Sequence, residues 1–152
     1  MKTLVNDADR AEILARMERV RMDSPRRWGK MSSHQMVCHL ADSFRGVMGE
    51  KALSVKPGNF GRGVVKWMAL YSGIPWPHGT PTMPEVDQMI GGTRPVEFAG
   101  DVQELRNLFA RFTAQSRDFA WGRHPMFPRM SDADWMRWGY LHMDHHFRQF
   151  GV

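Results

Sequence analysis

The twenty residues that precede Gly151 narrow the choice of folds more than any other part of the sequence. Ser131 is placed to cap a helix, and Asp134 falls in its first turn, where a carboxylate is favourable. No proline follows until the end of the chain, and Gly139 is the one interior helix breaker before Gly151, so about five turns of helix fit. This predicted helix carries three of the seven histidines of the chain within five residues.

Two of these histidines fall on the face of the predicted helix that should be buried. At about 100° per residue, His142 and His146 lie roughly 20° on either side of Trp135. Imidazoles four residues apart, roughly 6 Å along a helix axis, can converge on one ion. Without an ion, burying two unpaired imidazoles costs desolvation free energy. The pattern therefore favours a metal site, and because two histidines rarely hold a metal alone, it calls for a third ligand.

Spacing alone does not choose between His145 and His146, since pairs three and four residues apart can both chelate a metal. The flanking aromatic side chains favour His146, because Trp135 and Phe150 centre the buried face between His142 and His146. We expect His145 at the rim, in a surface or supporting role.

A second predicted helix supplies the candidate for the third ligand. Ser32 and Gln35 have the spacing of a capping box, so a helix should begin there. His39 lies roughly 60° beyond one edge of the apolar stripe of this helix. That position suits a ligand facing a cleft, whereas Cys38 and His34 point to the other side, so Cys38 is not expected to be a ligand. The stripe consists of Met36, Leu40, Phe44, Val47 and Met48.

The remaining chain predicts further helices joined by one long connection. The first helix of the chain should run from Asn6 or Asp7 to about Met22. A short helix is predicted over 58–72, and a longer one over 101–119. Residues 73–100 contain five Pro and five Gly, so they indicate a functional strap or lid, or else a misassigned segment. Four substantial helices and a minor one predict an all-α bundle, with residues 1–152 forming a single domain.

Composition excludes several classes of protein. One cysteine excludes an internal disulfide and is compatible with a reducing compartment. The start has no apolar signal region, and the most apolar later run, residues 63–74, is too short to span a membrane. We therefore expect a cytoplasmic protein without a membrane partner. The net charge is +5, but the basic residues are scattered, so no specific nucleic-acid partner is expected.

Two motifs resemble one protein superfamily. The stretch 36–42, Met-Val-Cys-His-Leu-Ala-Asp, with Trp28 upstream, resembles the second helix of DinB/YfiT-like proteins, and residues 142–149 resemble their C-terminal signature. The closer resemblance is to a small uncharacterised family within this superfamily, whose members end in a similar His-His-Leu-Arg-Gln-Phe-Gly motif. The resemblance implies an up-down-down-up four-helix bundle with one divalent metal. By the motif, its ligands are His39, His142 and His146.

The resemblance also implies a class of chemistry. Superfamily members use such a site for thiol transfer, isomerisation or hydrolysis, and three neutral histidines leave coordination positions free for water or substrate. We therefore expect a metal-dependent transferase or hydrolase acting on a small molecule, with a low-molecular-weight thiol as a candidate substrate. A non-catalytic metal- or ligand-binding bundle is the alternative. Zinc or nickel is expected first, with iron or manganese as alternatives. The sequence does not specify the substrate or the oligomeric state, and a homodimer is one of the states compatible with it.

Overall fold

The protein folds into five α-helices in a computed structural model that describes residues 1–55 and 61–152. The described part contains no strand, which confirms the all-α prediction. None of its helices has the length and apolar character needed to cross a membrane. The helices are α1 (Asp7–Met17), α2 (Ser33–Val47), α3 (Arg62–Tyr71), α4 (Phe98–Thr113) and α5 (Asp132–Gln149), and a 3₁₀ turn spans Pro84–Val86.

Local capping explains where the two site-bearing helices begin. Ser32 accepts the backbone N–H of Gln35, whose side chain in turn accepts the backbone N–H of Ser32. Ser131 and Asp134 form the same reciprocal pair at the start of α5. Both helix starts were predicted from these residues, and both predictions are confirmed.

Three other helix boundaries differ from the prediction. Helix α1 ends at Met17, five residues before Met22, because the Arg21 side chain donates to the carbonyls of Glu18 and Val20 and a turn replaces the last helical turn. Helix α4 begins at Phe98, since Glu97 accepts the first free N–H groups one turn before Asp101.

The same helix stops at Thr113, short of Phe119, because the following residue, Ala114, is extended. The short helix predicted over 58–72 is Arg62–Tyr71, and the first part of that prediction lies outside the described residues. The 73–100 connection is irregular apart from the 3₁₀ turn and the first residues of α4.

Helix α5 lies at the centre of the packing. It contacts α1, α2 and α3, while α2 packs mainly against α4. Gly139 allows Phe112 of α4 and Leu4 to pack directly against α5, since a Cβ there would lie 2.7 Å from the Phe112 ring and 2.9 Å from Leu4. The apolar stripe predicted on α2 is entirely buried. The largest fully buried side chains are Trp135, Phe44, Phe109, Phe112 and Phe147.

The segment 84–93, here called the strap, is fastened to α2 by Asp42. A lone carboxylate on a helix is ordinarily solvated, but Asp42 is 0% exposed. It accepts hydrogen bonds from the backbone N–H and the hydroxyl of Thr93, both at 2.7 Å, and lies 3.0 Å from the Lys51 ammonium. Burial alone would raise the pKa of Asp42, but the hydrogen bonds from Thr93 and Lys51 outweigh burial and hold that pKa below its usual value. The connection therefore has a fixed place along α2.

Candidate metal centre

The structure brings His39, His142 and His146 together between α2 and α5. One ring nitrogen from each lies within 4.8 Å of the other two, and the Nε2 atoms of His39 and His142 are 3.2 Å apart. His39 and His146 are buried, and His142 is partly exposed. This buried trio could bind a metal ion.

The strap orients the imidazole of His39. Its Nδ1 lies 2.8 Å from the carbonyl oxygen of Val86, which only accepts hydrogen bonds, so Nδ1 carries the proton and donates it. The lone pair of Nε2 then points toward His142. A ring N–H bound to a backbone carbonyl is the usual support of a metal-ligating histidine.

Gln149 orients His146 in a comparable way. The Nδ1 of His146 lies 2.8 Å from Oε1 of Gln149, while the amide nitrogen of Gln149 donates to the carbonyl of Trp28 at 2.9 Å. This second hydrogen bond fixes which end of the amide faces His146, so His146 donates from Nδ1 and keeps a lone pair on Nε2. Gly29 leaves room for the amide, since a Cβ there would lie 2.5 Å from its nitrogen.

Burial favours the neutral form of the three imidazoles. It lowers the pKa of His39, an effect that the hydrogen bond to Val86 partly opposes. Burial also holds the pKa values of His142 and His146 well below the usual range, and neighbouring histidines lower them further. Neutral imidazole is the form that binds metals.

The spacing of the ring nitrogens fits a transition metal. Two nitrogens about 2.05 Å from a tetrahedral zinc ion lie about 3.3 Å from each other. The 3.2 Å between the Nε2 atoms of His39 and His142 is close to that value. The Nδ1 atoms of His39 and His146 already donate hydrogen bonds, so the lone pairs of these two rings are on Nε2. Among the described residues, no hydrogen-bond donor except His142 reaches these lone pairs. The donor set therefore fits one ion.

His145 lies beside the trio, at the rim where it was predicted. Its ring is 5.2 Å from the ring of His146 and about 6 Å from those of Trp28 and Trp76. Burial and the nearby Arg148 guanidinium lower the pKa of His145 to about 4. Its Nδ1 is buried and has no hydrogen-bond partner among the described residues.

A cavity of about 130 Å³ opens on the other side of His145. Trp76 and His145 line it, and the Trp76 ring also lies 6.0 Å from the ring of His142. Asp144 is paired with Arg16 at 2.7 Å and ties α5 to α1. The charged side chains at the cavity are Arg137, Asp144 and Arg148.

His124 and His78 do not join the trio. His124, in the loop before α5, is buried and stacked on Phe127, and its Nδ1 accepts the backbone N–H groups of Met126 and Phe127. His78 is exposed and stacked on Trp28, with ring centroids 3.9 Å apart.

A second cluster, which was not predicted from the sequence, lies on another side of α2. As predicted, His34 and Cys38 point away from His39, but they meet Asp101 of α4 there. The Nε2 atom of His34 lies 2.7 Å from Oδ2 of Asp101. Burial and the hydrogen bond to Asp101 raise the pKa of the Cys38 thiol to about 12. The spacing of four between His34 and Cys38 was the one signal in the sequence, and it lacked a visible partner on another helix.

Comparison with known proteins identifies a family. A family model described as "Protein of unknown function (DUF1569)" matches residues 5–151. No curated protein and no solved structure matches the chain significantly. Because the match covers nearly the whole chain, the protein belongs to DUF1569, a family within the DinB/YfiT-like superfamily.

Proposed function

We propose that the protein is a metal-dependent enzyme that acts on a small molecule, of the thiol-transferase or hydrolase type. Its metal is one divalent transition ion, zinc or nickel first, held by His39, His142 and His146. The observation that carries the proposal is the convergence of three neutral ring nitrogens, with an Nε2–Nε2 distance of 3.2 Å between His39 and His142. Ring nitrogens at this spacing can bind the same metal ion.

The side chains around the trio hold the ligands in place and limit access. Val86 and Gln149 keep the protons of His39 and His146 on Nδ1, directed away from the centre. The Trp138 ring lies 4.9 Å from His142 and closes one side against water. When bound, a divalent ion at this position supplies Lewis acidity toward an oxygen or sulfur atom of a substrate.

The cavity beside His145 supports an enzyme over a purely structural centre. At about 130 Å³ it accommodates a small molecule only. Trp76 and His145 lie between this cavity and the ligand histidines, so a substrate placed there is within one side chain of the centre. Two guanidinium groups, Arg137 and Arg148, face one carboxylate, Asp144, and this balance favours an anionic group on the substrate.

Metal content tests the first part of the proposal. Protein purified without chelator or nickel resin should contain about one equivalent of a transition metal by elemental analysis. In the Cys38→Ser background, which removes the thiol of the second cluster, His39→Ala should lose this equivalent, whereas the exposed His78→Ala should retain it. A protein that is metal-free and fails to bind added zinc or nickel at micromolar concentration would end the proposal.

Thiol binding and turnover test the second part. The Cys38→Ser variant loaded with Co²⁺ contains no protein thiol, so a low-molecular-weight thiol such as free cysteine should produce a thiolate-to-cobalt charge-transfer band. The band should be absent after an additional His146→Ala substitution. Thiol transfer to an electrophile, or hydrolysis of an activated ester, should then depend on the metal. A loaded protein that neither binds thiol nor turns over either reporter would support the non-catalytic metal-binding bundle instead.

A further inference from the structure

The cluster of His34, Cys38 and Asp101 has the composition and spacing of a second metal site. One ligand atom from each residue lies within 4.8 Å of the other two. His34 and Cys38 are four residues apart on α2, and Asp101 comes from the first turn of α4. We propose that this cluster binds a second divalent cation of the thiophilic, zinc-like class and joins α2 to α4 through it.

Asp101 is the meeting point of the three side chains. It lies 2.7 Å from Nε2 of His34, and it accepts the Cys38 thiol and the backbone N–H of Val96. Atoms that share a tetrahedral zinc ion lie about 3.3 Å apart, so an ion fits after His34 and Asp101 separate by about 0.6 Å. Side-chain rotation can supply a shift of that size, and no helix has to move.

The donor set selects the class of ion. Thiolate, imidazole and carboxylate together are ligands of zinc, whereas magnesium and calcium prefer oxygen alone. His34 donates from Nε2 to Asp101 in the metal-free cluster, so its ring must shift this proton to Nδ1 before Nε2 can contribute a lone pair. On binding, the proton of the Cys38 thiol passes to solvent.

Access comes from the side of Asp101. The Cys38 residue is 2% exposed, but the Asp101 side chain is 23% exposed, so an ion can arrive from solvent past the carboxylate. The same opening leaves the fourth coordination position to water. The Phe98 ring, 5.2 Å from the ring of His34, covers the adjoining side of the cluster.

This site is independent of the proposed function. Cys38 and His39 are neighbours in sequence, yet they face opposite sides of α2, toward α4 and α5 respectively. The three-histidine centre contains no sulfur atom. A spectroscopic signal from sulfur therefore reports the second cluster alone.

A Cd²⁺ titration of the wild-type protein tests the proposal. With a phosphine in place of a thiol reductant, Cd²⁺ at micromolar concentration should produce a cadmium–thiolate absorption band. Because Cys38 is the only cysteine of the chain, the band can be assigned to it. Cys38→Ser keeps a hydrogen-bond donor of similar size and should show no band. A wild-type protein without a band at saturating Cd²⁺ would overturn the proposal.

Two further variants distinguish a three-residue metal site from a thiol that binds cadmium without help from His34 and Asp101. His34→Gln and Asp101→Asn each remove one ligand, so each should weaken binding by more than the about ten- to hundredfold that loss of an outer partner costs. Unchanged affinity in both would mean that Cys38 acts alone, and the proposal would be wrong.

The metal count keeps the two centres distinct. His142→Ala combined with His146→Ala should still give the thiolate band with one equivalent of Cd²⁺, and zinc should raise its melting temperature. If this variant does not fold, the wild type gives the same answer, since its band does not depend on the histidine trio. If the wild-type protein shows the thiolate band with the first equivalent of Cd²⁺ and binds no second ion, the result contradicts the proposed function but supports the cysteine site.

Discussion

At the scale of single residues, the adjacent histidines of α5 differ in what their rings contact. His146 is buried and bonded to Gln149, whereas His145 faces Trp28, Trp76 and the cavity. His146→Ala should therefore abolish most of the affinity for metal. His145→Ala should retain the metal, with a loss of at most about ten- to a hundredfold. Zinc titration of both purified variants measures the difference. The opposite order of affinities would contradict the ligand assignment.

His124 gives a second prediction at this scale, concerning pH. Burial, together with the nearby positive charge of Arg62, lowers the pKa of His124 to about 3. Between that value and the unfolded pKa of about 6.5, the unfolded chain takes up a proton that the folded protein refuses. The contribution to stability is complete above pH 6.5 and declines by up to roughly 1.4 kcal/mol per pH unit as the pH falls toward about 3.

The variant His124→Asn isolates this contribution. Its side-chain oxygen can accept the same N–H groups of Met126 and Phe127 but does not titrate in this range. Urea unfolding at several pH values from about 7 to about 4 should give a shallower slope for the variant, by about one proton. Equal slopes would show that His124 takes up its proton while folded.

The residues of the histidine trio could be selected from the sequence because each lies on a helix with a regular apolar face. Their supporting groups could not. The carbonyl of Val86 contacts the His39 ring 47 residues away, and the carbonyl of Trp28 contacts the Gln149 amide 121 residues away. Neither separation leaves a periodic pattern in the sequence. The burial of Asp42 could not be predicted for the same reason, since Thr93, which binds its carboxylate, lies 51 residues further on.

At the scale of elements, the strap depends on one buried carboxylate. Asp42→Asn should destabilise the protein by about 1–3 kcal/mol, because the strap and Lys51 lose a buried charged acceptor. It should also weaken metal binding by about tenfold or more, since Val86 would no longer hold Nδ1 of His39. Urea unfolding and zinc titration measure the two effects.

The exposed Asp118→Asn is the matched control, and its stability should change by no more than about 0.5 kcal/mol. A stable Asp42→Asn protein with wild-type metal affinity would show that the strap does not position His39.

Element boundaries were predictable where the signal is local. A capping box needs only residues three apart, so the starts of α2 and α5 could be found from Ser32, Gln35, Ser131 and Asp134. Helix ends depend on more distant contacts. Val20 continues the apolar pattern of α1, yet the chain has already turned at Met17 so that the Arg21 side chain can satisfy the free carbonyls.

At the scale of the whole molecule, the all-α class follows from the sequence, because five helical segments and no alternating strand pattern were visible in it. The path of the connection between α3 and α4 does not follow from composition. Its proline and glycine content excludes a long helix but does not show that it lies along α2.

The ligand set also has a consequence for biosynthesis. His39 and His146 are 107 residues apart (146 minus 39), and the helix that carries His146 is the last of the five described helices. At about 5–20 residues per second, a ribosome needs on the order of 5–20 s to pass from one to the other. During that interval α2 presents a histidine without its partners. On the proposed ligation, a nascent or truncated chain cannot load metal at this centre, so metal loading marks the completion of α5.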